Sequence, residues 1–173
     1  LIVVLEEMGR SLLCAPYFSS VVLAANTLIH AGDEEAKAEL LPQIASGTIA
    51  TLALTEENGD ESGITMQASG SGKEFTLDGT KMYVIDGNNA EILIVSARTD
   101  NGVSLFQVDA NAEGLTRTSL ATMDQTRKQS RIDFEGTPAK LIGNEGSGWE
   151  TLSTVLDLAA VALAAERVGG AQM

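Results

Sequence analysis

The sequence predicts an α+β fold, with an antiparallel β-sandwich or barrel between two helical segments. Apolar residues recur at helical spacing before Thr48, follow β-type patterns from there to Ile142, and return to helical spacing at Trp149. Because the period of the apolar residues is the main sequence signal for helix or strand, these switches divide the chain. The expected units are residues 1–47, 48–145 and 146–173.

The first unit is predicted to be helical throughout. Apolar spacing indicates two helices over residues 1–29, interrupted near Gly9 and Pro16. A third helix is expected over Glu34–Ala45. Asp33 is its predicted N-cap, because an aspartate carboxylate accepts a hydrogen bond from a free backbone N–H in the first turn.

The second unit contains short runs rich in β-branched and aromatic residues, at intervals typical of antiparallel β-structure. Asp78-Gly79 lies between two of these runs and favours a tight hairpin. The predicted strands are Thr48–Leu54, Phe75–Leu77, Lys81–Ile85, Ile92–Val95, Val103–Val108, Leu115–Leu120, Gln129–Phe134 and Ala139–Ile142.

The last unit is predicted to be one helix from Trp149 to about Val168, with apolar residues on nearly every side. A helix of this kind is buried in a larger assembly. The chain also begins inside an apparent helix and without Met, so we expect it to be a piece of a longer protein.

Charge and composition exclude several classes of function. The formal net charge is −13, and Lys and Arg form no block, which disfavours a nucleic-acid or anionic-membrane surface. Cys14 is the only cysteine, so neither an internal disulfide nor a cysteine-cluster metal site is expected. No run reaches the roughly 18 to 20 apolar residues that span a bilayer. The expected location is the cytoplasm, a reducing compartment.

Two segments carry the strongest functional signal. Leu52–Gly59 reads L-A-L-T-E-E-N-G, and Asp78–Gly87 reads D-G-T-K-M-Y-V-I-D-G. They resemble the A-x-T-E-P-G-x-G-S-D and G-x-K-x-W-I-T-N-G stretches of the acyl-CoA dehydrogenase family. The resemblance extends to Leu5–Arg10, Gly32–Pro42 and Ala164–Gln172. It implies that the chain holds the end of an N-terminal helical domain, a middle β-domain and the first helix of a C-terminal helical domain.

In that family the two segments contact a flavin. The resemblance therefore implies six cofactor-binding residues: Leu52, Leu54, Thr55, Tyr83, Val84 and Ile85. Thr55 offers a hydroxyl to the flavin edge, and Tyr83 stands in the tryptophan position as a packing surface. Ile85 stands where the family has a threonine, and it has no hydroxyl hydrogen to donate. The alternative is that Tyr83, Val84 and Ile85 are ordinary strand residues.

The resemblance also implies residues near the acyl-CoA substrate. Ser62 follows the first segment, although Asp60-Glu61-Ser62 only partly matches the family's G-S-D. Arg127 and Ser130 lie in a stretch that resembles the family's D-x-T-R. A guanidinium suits an anionic nucleotide, but an exposed loop arginine is often only solvated.

The implied activity is FAD-dependent oxidation of an acyl-CoA thioester to the trans-2-enoyl-CoA. The implied partners are electron-transfer flavoprotein and further subunits of a homo- or hetero-oligomer. The base that removes the α-proton is expected beyond Met173, so no residue of this chain is a candidate for it. Two alternatives stay open, a flavin-poor, non-catalytic partner subunit and a flavin monooxygenase on the same fold.

Overall fold

The computed structural model describes residues 1–60 and 63–172. Helices precede and follow the strands along the chain, as the apolar periodicity predicts. Asp33 caps the third α-helix, where its carboxylate accepts a hydrogen bond from the Ala36 N–H at 3.0 Å. The helices are α1 (Ile2–Arg10), a π-helix (Phe18–Ala25), α2 (Asn26–His30), α3 (Glu34–Ala45) and α4 (Gly148–Ala171).

The π-helix was not predicted. Residues Phe18–Ala25 are wound with wider turns and continue directly into α2. A π-helix bonds residue i to residue i+5, so side chains five positions apart lie about one turn apart on the same face. Such segments are rare and occur frequently at functional sites.

Seven strands of the described residues form one sheet that closes into a barrel. The closed ring runs through β4, β2, β3, β7 and β5, and β5 pairs again with β4; β1 and β6 are added to β4 and β7. The α+β fold class is therefore confirmed. The strands are β1 (Ala50–Ala53), β2 (Gln67–Ser71), β3 (Glu74–Ile85), β4 (Ile92–Thr99), β5 (Gly102–Asp109), β6 (Leu115–Ser119) and β7 (Gln129–Ile142).

The sheet differs from the antiparallel prediction at β4, which has two parallel neighbours. Strand β1 runs parallel to β4, with Ala50 opposite Ile92 and Ala53 opposite Val95, and β2 pairs in parallel with β4 at Gln67 and Arg98. Antiparallel pairing holds for β2 with β3, β3 with β7, β4 with β5, β5 with β7 and β6 with β7. Parallel neighbours need a long crossover, which the β2–β3 hairpin supplies here.

The predicted hairpin at Asp78-Gly79 is wrong. Strand β3 runs straight through these residues, with a shift of register against β7 between Leu77 and Gly79. Gly79 has a φ of 143°, and the Asp78 carboxylate accepts a hydrogen bond from the Gly136 N–H at 2.8 Å. The glycine therefore marks a β-bulge, the other common role of glycine inside a strand.

The sheet has an inner and an outer apolar core. The inner core fills the barrel, where the rings of Phe75 and Phe106 lie 5.1 Å apart. The outer core lies between the barrel and the helices, and it contains Leu28, Leu52 and Leu152. Alternate residues of one strand enter different cores, so β1 turns Leu52 toward the helices.

Within the described part of the chain, no helix is both long and apolar enough to cross a membrane.

Candidate functional site

Two adjoining cavities lie between the barrel and the helices. The first, here called the apolar cavity, has a volume of about 350 Å³. The second, called the charged cavity, has a volume of about 470 Å³ and contains Asp86, Arg127 and Glu166 in its wall. Both volumes fall within the range of small-molecule sites, roughly 300–1,000 Å³. The apolar cavity is lined by Phe18, Leu23, Leu52, Leu54, Thr55, Tyr83, Ile85, Leu156, Ala159, Ala160 and Leu163.

The apolar cavity brings together five of the six predicted cofactor-binding residues. Leu52, Leu54 and Thr55 come from β1 and the residues after it, and Tyr83 and Ile85 come from the end of β3. Within residues 1–60 and 63–172, the Thr55 hydroxyl has no hydrogen-bonding partner. A small-molecule ligand in the cavity would therefore meet an apolar wall and the available Thr55 hydroxyl.

The two segments are tied together at the cavity by hydrogen bonds. The Met82 N–H donates to the Thr55 carbonyl at 2.8 Å, and the Thr51 hydroxyl donates to the Ile85 carbonyl at 2.6 Å. These bonds explain how two segments that are far apart in the sequence form one wall.

Tyr83 has an unusual backbone conformation at this wall. Its φ is 59°, in the left-handed region that a residue with a large side chain seldom adopts. It lies in an irregular part of the β3–β7 ladder between Lys81 and Val84, and it is 47% exposed. Backbone strain of this kind concentrates at functional sites, which supports a binding role for the ring.

Val84, the sixth predicted residue, faces the other way. Its side chain is buried in the inner core, and its backbone pairs with Ser130 of β7. Only the backbone of Val84 therefore remains for a cofactor contact.

A buried ion pair lies behind the cavity wall, and the sequence analysis missed it. Lys81 is 0% exposed, and its ammonium donates to Glu56 at 2.9 Å, the Leu54 carbonyl at 3.0 Å and the Ser96 hydroxyl at 3.2 Å. These three contacts use all three ammonium donors. The signal in the sequence was a lysine among the alternating residues of a predicted strand, a position where lysine is normally exposed.

The pKa values reflect this environment. Burial lowers the pKa of Lys81 to about 8, although the nearby Glu56 carboxylate raises it. Burial raises the pKa of Glu56, but hydrogen bonds from Thr65, Lys81 and Met66 outweigh that effect and lower it to about 2. Both groups are therefore charged at neutral pH, and together they fix the residues after β1 against β3.

The charged cavity contains Arg127, a predicted substrate-binding residue. Its Nη2 atom donates to both carboxylate oxygens of Glu166, at 2.7 and 2.8 Å. Its guanidinium carbon also lies 4.8 Å from the centre of the Phe18 ring, within cation–π distance. Asp86 lines the same cavity and accepts a hydrogen bond from the Ser19 hydroxyl at 2.6 Å. The charge of Arg127 is thus already matched by Glu166.

Ser130, another predicted substrate residue, lines neither cavity. Ser130 is buried, and its hydroxyl has no hydrogen-bonding partner among the described residues. Ser62 lies outside the described residues.

Comparison with known proteins identifies the family. The model of the "Acyl-CoA dehydrogenase, middle domain" family matches residues 51–137, just over half of the chain. The chain belongs to the acyl-CoA dehydrogenase family. The matched residues include both segments that form the wall of the apolar cavity.

Individual members of the acyl-CoA dehydrogenase family agree with this assignment. The chain is 38% identical over 122 residues to acyl-CoA dehydrogenase FadE27 of Mycobacterium tuberculosis, an alignment that covers 70% of this chain and 32% of that protein. The solved structure of the Tcur3481-Tcur3483 steroid acyl-CoA dehydrogenase aligns with a TM-score of 0.85 and 28% identity, over 96% of this chain and 46% of the other.

A glutaryl-CoA dehydrogenase of Mycobacterium smegmatis, solved in complex with FADH2, aligns with a TM-score of 0.78 and 26% identity. That alignment covers 87% of this chain and 41% of the other chain. The chain thus spans between about a third and a half of the length of these relatives.

Proposed function

We propose that the chain is part of a flavin-dependent acyl-CoA dehydrogenase, which oxidises an acyl-CoA thioester to the trans-2-enoyl-CoA. The observation that carries the proposal is the apolar cavity, where Thr55 from one segment meets Tyr83 and Ile85 from the other. In this proposal residues 1–47 end an N-terminal helical domain, residues 48–145 form the middle domain, and residues 146–173 begin a C-terminal helical domain.

The residues of the apolar cavity fit the ring system of FAD. The volume suits a small-molecule group, the Thr55 hydroxyl has no partner among the described residues, and Tyr83 offers an exposed ring at the rim. Thr55 would hold the flavin edge, Tyr83 would pack against the ring, and Leu52, Leu54, Val84 and Ile85 would contribute backbone and shape. When bound, FAD accepts the hydride from the β-carbon of the thioester.

Glu56 is not available as the base for the α-proton. Its carboxylate is held by Lys81, Thr65 and Met66, which keep it ionised and engaged behind the wall. The resemblance to the family implies that the base lies beyond Met173, and we place it there.

We also propose electron-transfer flavoprotein as the electron acceptor, an oligomeric enzyme and a cytoplasmic location. The helical side of the chain supports the oligomer, because α4 exposes apolar side chains. Val161 is 58% exposed and Val168 is 51% exposed. Further helices or subunits of the dehydrogenase would cover these residues.

A second candidate function is a partner subunit that retains the fold but little flavin. Ile85 favours it, because this residue lines the cavity without a hydroxyl. The steroid acyl-CoA dehydrogenase that aligns with the chain carries two designations in its name, Tcur3481 and Tcur3483, which supports a hetero-oligomer of this kind.

Anaerobic titration of the whole gene product with acyl-CoA thioesters separates the two candidates. A dehydrogenase should purify with FAD or bind it, and thioester should bleach the flavin absorbance. A partner subunit should bind little FAD alone and gain flavin or activity only with a homologous subunit. Bound FAD that no acyl-CoA thioester reduces, in either preparation, would contradict the proposed dehydrogenation.

A further inference from the structure

The apolar and charged cavities share a partition. Three residues line both of them, Phe18, Ile85 and Leu163. Phe18 comes from the π-helix and Ile85 from the end of β3, so two distant parts of the chain meet in the partition. A charge behind these two residues would act on a ligand in the apolar cavity, because protein interior weakens an electrostatic interaction much less than water does.

One carboxylate lies in that position. Asp86 follows Ile85 in the chain, Ser19 follows Phe18, and the Ser19 hydroxyl donates a hydrogen bond to Asp86 Oδ2 at 2.6 Å. Asp86 lines the charged cavity and is half-buried. The hydrogen bond between these two neighbours of the partition therefore holds the carboxylate directly behind it.

The backbone of Asp86 is also fixed. Its φ of 55° lies in the left-handed region, which aspartate tolerates better than most residues do. Its N–H donates to the Lys128 carbonyl at 2.9 Å, and its own carbonyl accepts from the N–H groups of Asn89 and Ala90, each at 2.9 Å. This turn and the bond from Ser19 together fix the place of the carboxylate.

The charge of Asp86 is not matched by a cation. Among the described residues, no basic side chain forms an ion pair with it. Arg127 lines the same cavity, but it is paired with both carboxylate oxygens of Glu166. The other charged residues in the described wall are Asp124 and Arg167, one of each sign. Asp86 therefore gives this side of the partition a net negative charge.

We propose that Asp86 lowers the midpoint potential of the flavin bound in the apolar cavity. This inference rests on the proposed binding of the FAD ring system there. A hydride brings two electrons and one proton, so its uptake from the β-carbon of the thioester adds one negative charge to a neutral ring system. A fixed carboxylate behind the partition disfavours that added charge, which favours transfer of the electrons to the next acceptor.

Anaerobic reductive titration of the FAD-loaded whole gene product, with a reference dye, measures the midpoint potential. Two unit charges about 10 Å apart, at an effective dielectric constant of about 20, change each other's binding roughly tenfold. Asp86→Asn removes the charge and keeps the shape, so it should strengthen the binding of reduced relative to oxidised FAD about tenfold. For a two-electron couple this raises the midpoint potential by about 30 mV.

A second variant and a second readout separate charge from structure. Asp86→Gly also suits a φ of 55° and should raise the midpoint potential to a similar extent. In both variants the affinity for oxidised FAD should change little, because the oxidised ring system is neutral. A purely structural role would instead lower the affinity for oxidised FAD and leave the midpoint potential unchanged.

Asp124→Asn is the matched control. Asp124 lines the same cavity, but it is exposed, and its carboxylate accepts from the Thr126 N–H at 2.9 Å and from the Thr126 hydroxyl at 2.6 Å. Because water screens an exposed charge, this variant should shift the midpoint potential much less than Asp86→Asn.

The outcomes for the inference and for the proposed function are distinct. An unchanged midpoint potential in Asp86→Asn with FAD bound, or an equal rise in Asp124→Asn, would overturn the role of Asp86 and leave the proposed function intact. If Asp86→Asn does not fold, an unchanged midpoint potential in Asp86→Gly would overturn it. Failure of the unmodified protein to bind FAD would instead contradict the proposed function, and the inference would fail with it.

Discussion

The ion pair behind the wall and the wall of the apolar cavity use neighbouring residues of the same two segments. Glu56 and Lys81 turn inward, where every donor of the ammonium is paired. Thr55 and Tyr83 turn outward, where the Thr55 hydroxyl has no partner in the part of the chain that the structure describes and the Tyr83 ring is half exposed. Neighbouring positions in each segment thus serve stability and binding separately. Thr55 and Glu56 are adjacent and face opposite sides. Lys81 and Tyr83 are two residues apart and face opposite sides because the ladder irregularity between Lys81 and Val84 breaks the usual alternation.

The largest expected effect comes from breaking the buried ion pair of Glu56 and Lys81. Lys81→Met leaves the Glu56 carboxylate buried without its cation, and loss of one partner of a buried pair costs about 3–5 kcal/mol. Urea unfolding monitored by circular dichroism measures the change. The matched control is Lys140→Met, which removes an exposed pair with Glu35 and should lower the unfolding free energy far less, because water and salt screen an exposed pair. Equal losses of unfolding free energy in the two variants would show that burial of the Lys81 pair adds nothing to stability.

The same ion pair predicts how stability depends on pH. The pKa of Glu56 is about 2 when folded against an ordinary value of 4.5, so its contribution is complete above pH 4.5 and is lost as the pH falls toward 2. Lys81 has a folded pKa of about 8 against 10.5, so the unfolded chain binds more protons between these values. Its titration therefore makes the folded state more stable as the pH rises through that window.

Unfolding free energies measured across both windows check these signs. In Glu56→Gln the acid-side loss should shrink, and in Lys81→Met the alkaline rise should shrink. A pH profile that is the same in both variants and in the unmodified protein would rule out this pair as its source.

An intermediate effect is expected at Thr55 and Ile85, in the wall of the apolar cavity. Thr55→Ala should weaken FAD binding, and Ile85→Thr should strengthen it, each by about two- to tenfold, since a neutral hydrogen bond contributes roughly 0.5–1.5 kcal/mol. Fluorescence titration with FAD measures both changes. Thr80→Ala is the control, because Thr80 lies on β3 with Ile85 but its hydroxyl donates to Asp133. Affinities that change as much in the control as in the two test variants would separate Thr55 and Ile85 from the cofactor.

The smallest expected effect on stability comes from Tyr83. Asparagine tolerates the left-handed region better than tyrosine, so Tyr83→Asn should leave the unfolding free energy unchanged or raise it by up to about 1 kcal/mol. The same variant should weaken FAD binding, because the exposed ring is lost. A large loss of stability would show that Tyr83, like Glu56 and Lys81, stabilises the fold, and it would contradict the assignment of Tyr83 to binding.

Periodicity predicted the helical, β and helical segments in their order, but it missed β2 and divided β3 and β7 into two strands each. The Asp33 cap followed from one residue type at one position. Other features depended on partners far away in sequence. Asp78-Gly79 suits a hairpin or a bulge equally well, and the bulge is chosen by Gly136 on β7. The π-helix differs from an α-helix by about one residue per turn over Phe18–Ala25, too little to alter the apolar pattern.

The sequence predicted only part of the site, because some of its contacts also depend on partners far away in the chain. The resemblance selected Thr55, Tyr83 and Ile85, and the fold brings them together. It gave no sign that Val84 faces inward, because the ladder irregularity between Lys81 and Val84 sets that direction. The Glu166 partner of Arg127 lies 39 residues away on another element, so no local pattern links the two.

Hydrogen–deuterium exchange of the whole gene product with and without saturating FAD tests the central claim most directly. The claim is that the ends of β1 and β3 form the wall that holds the cofactor. We expect FAD to slow exchange in residues 53–58 and 82–87, while residues 102–109 of β5 stay unchanged. Protection that appears elsewhere, with residues 53–58 and 82–87 unaffected at full FAD occupancy, would contradict it.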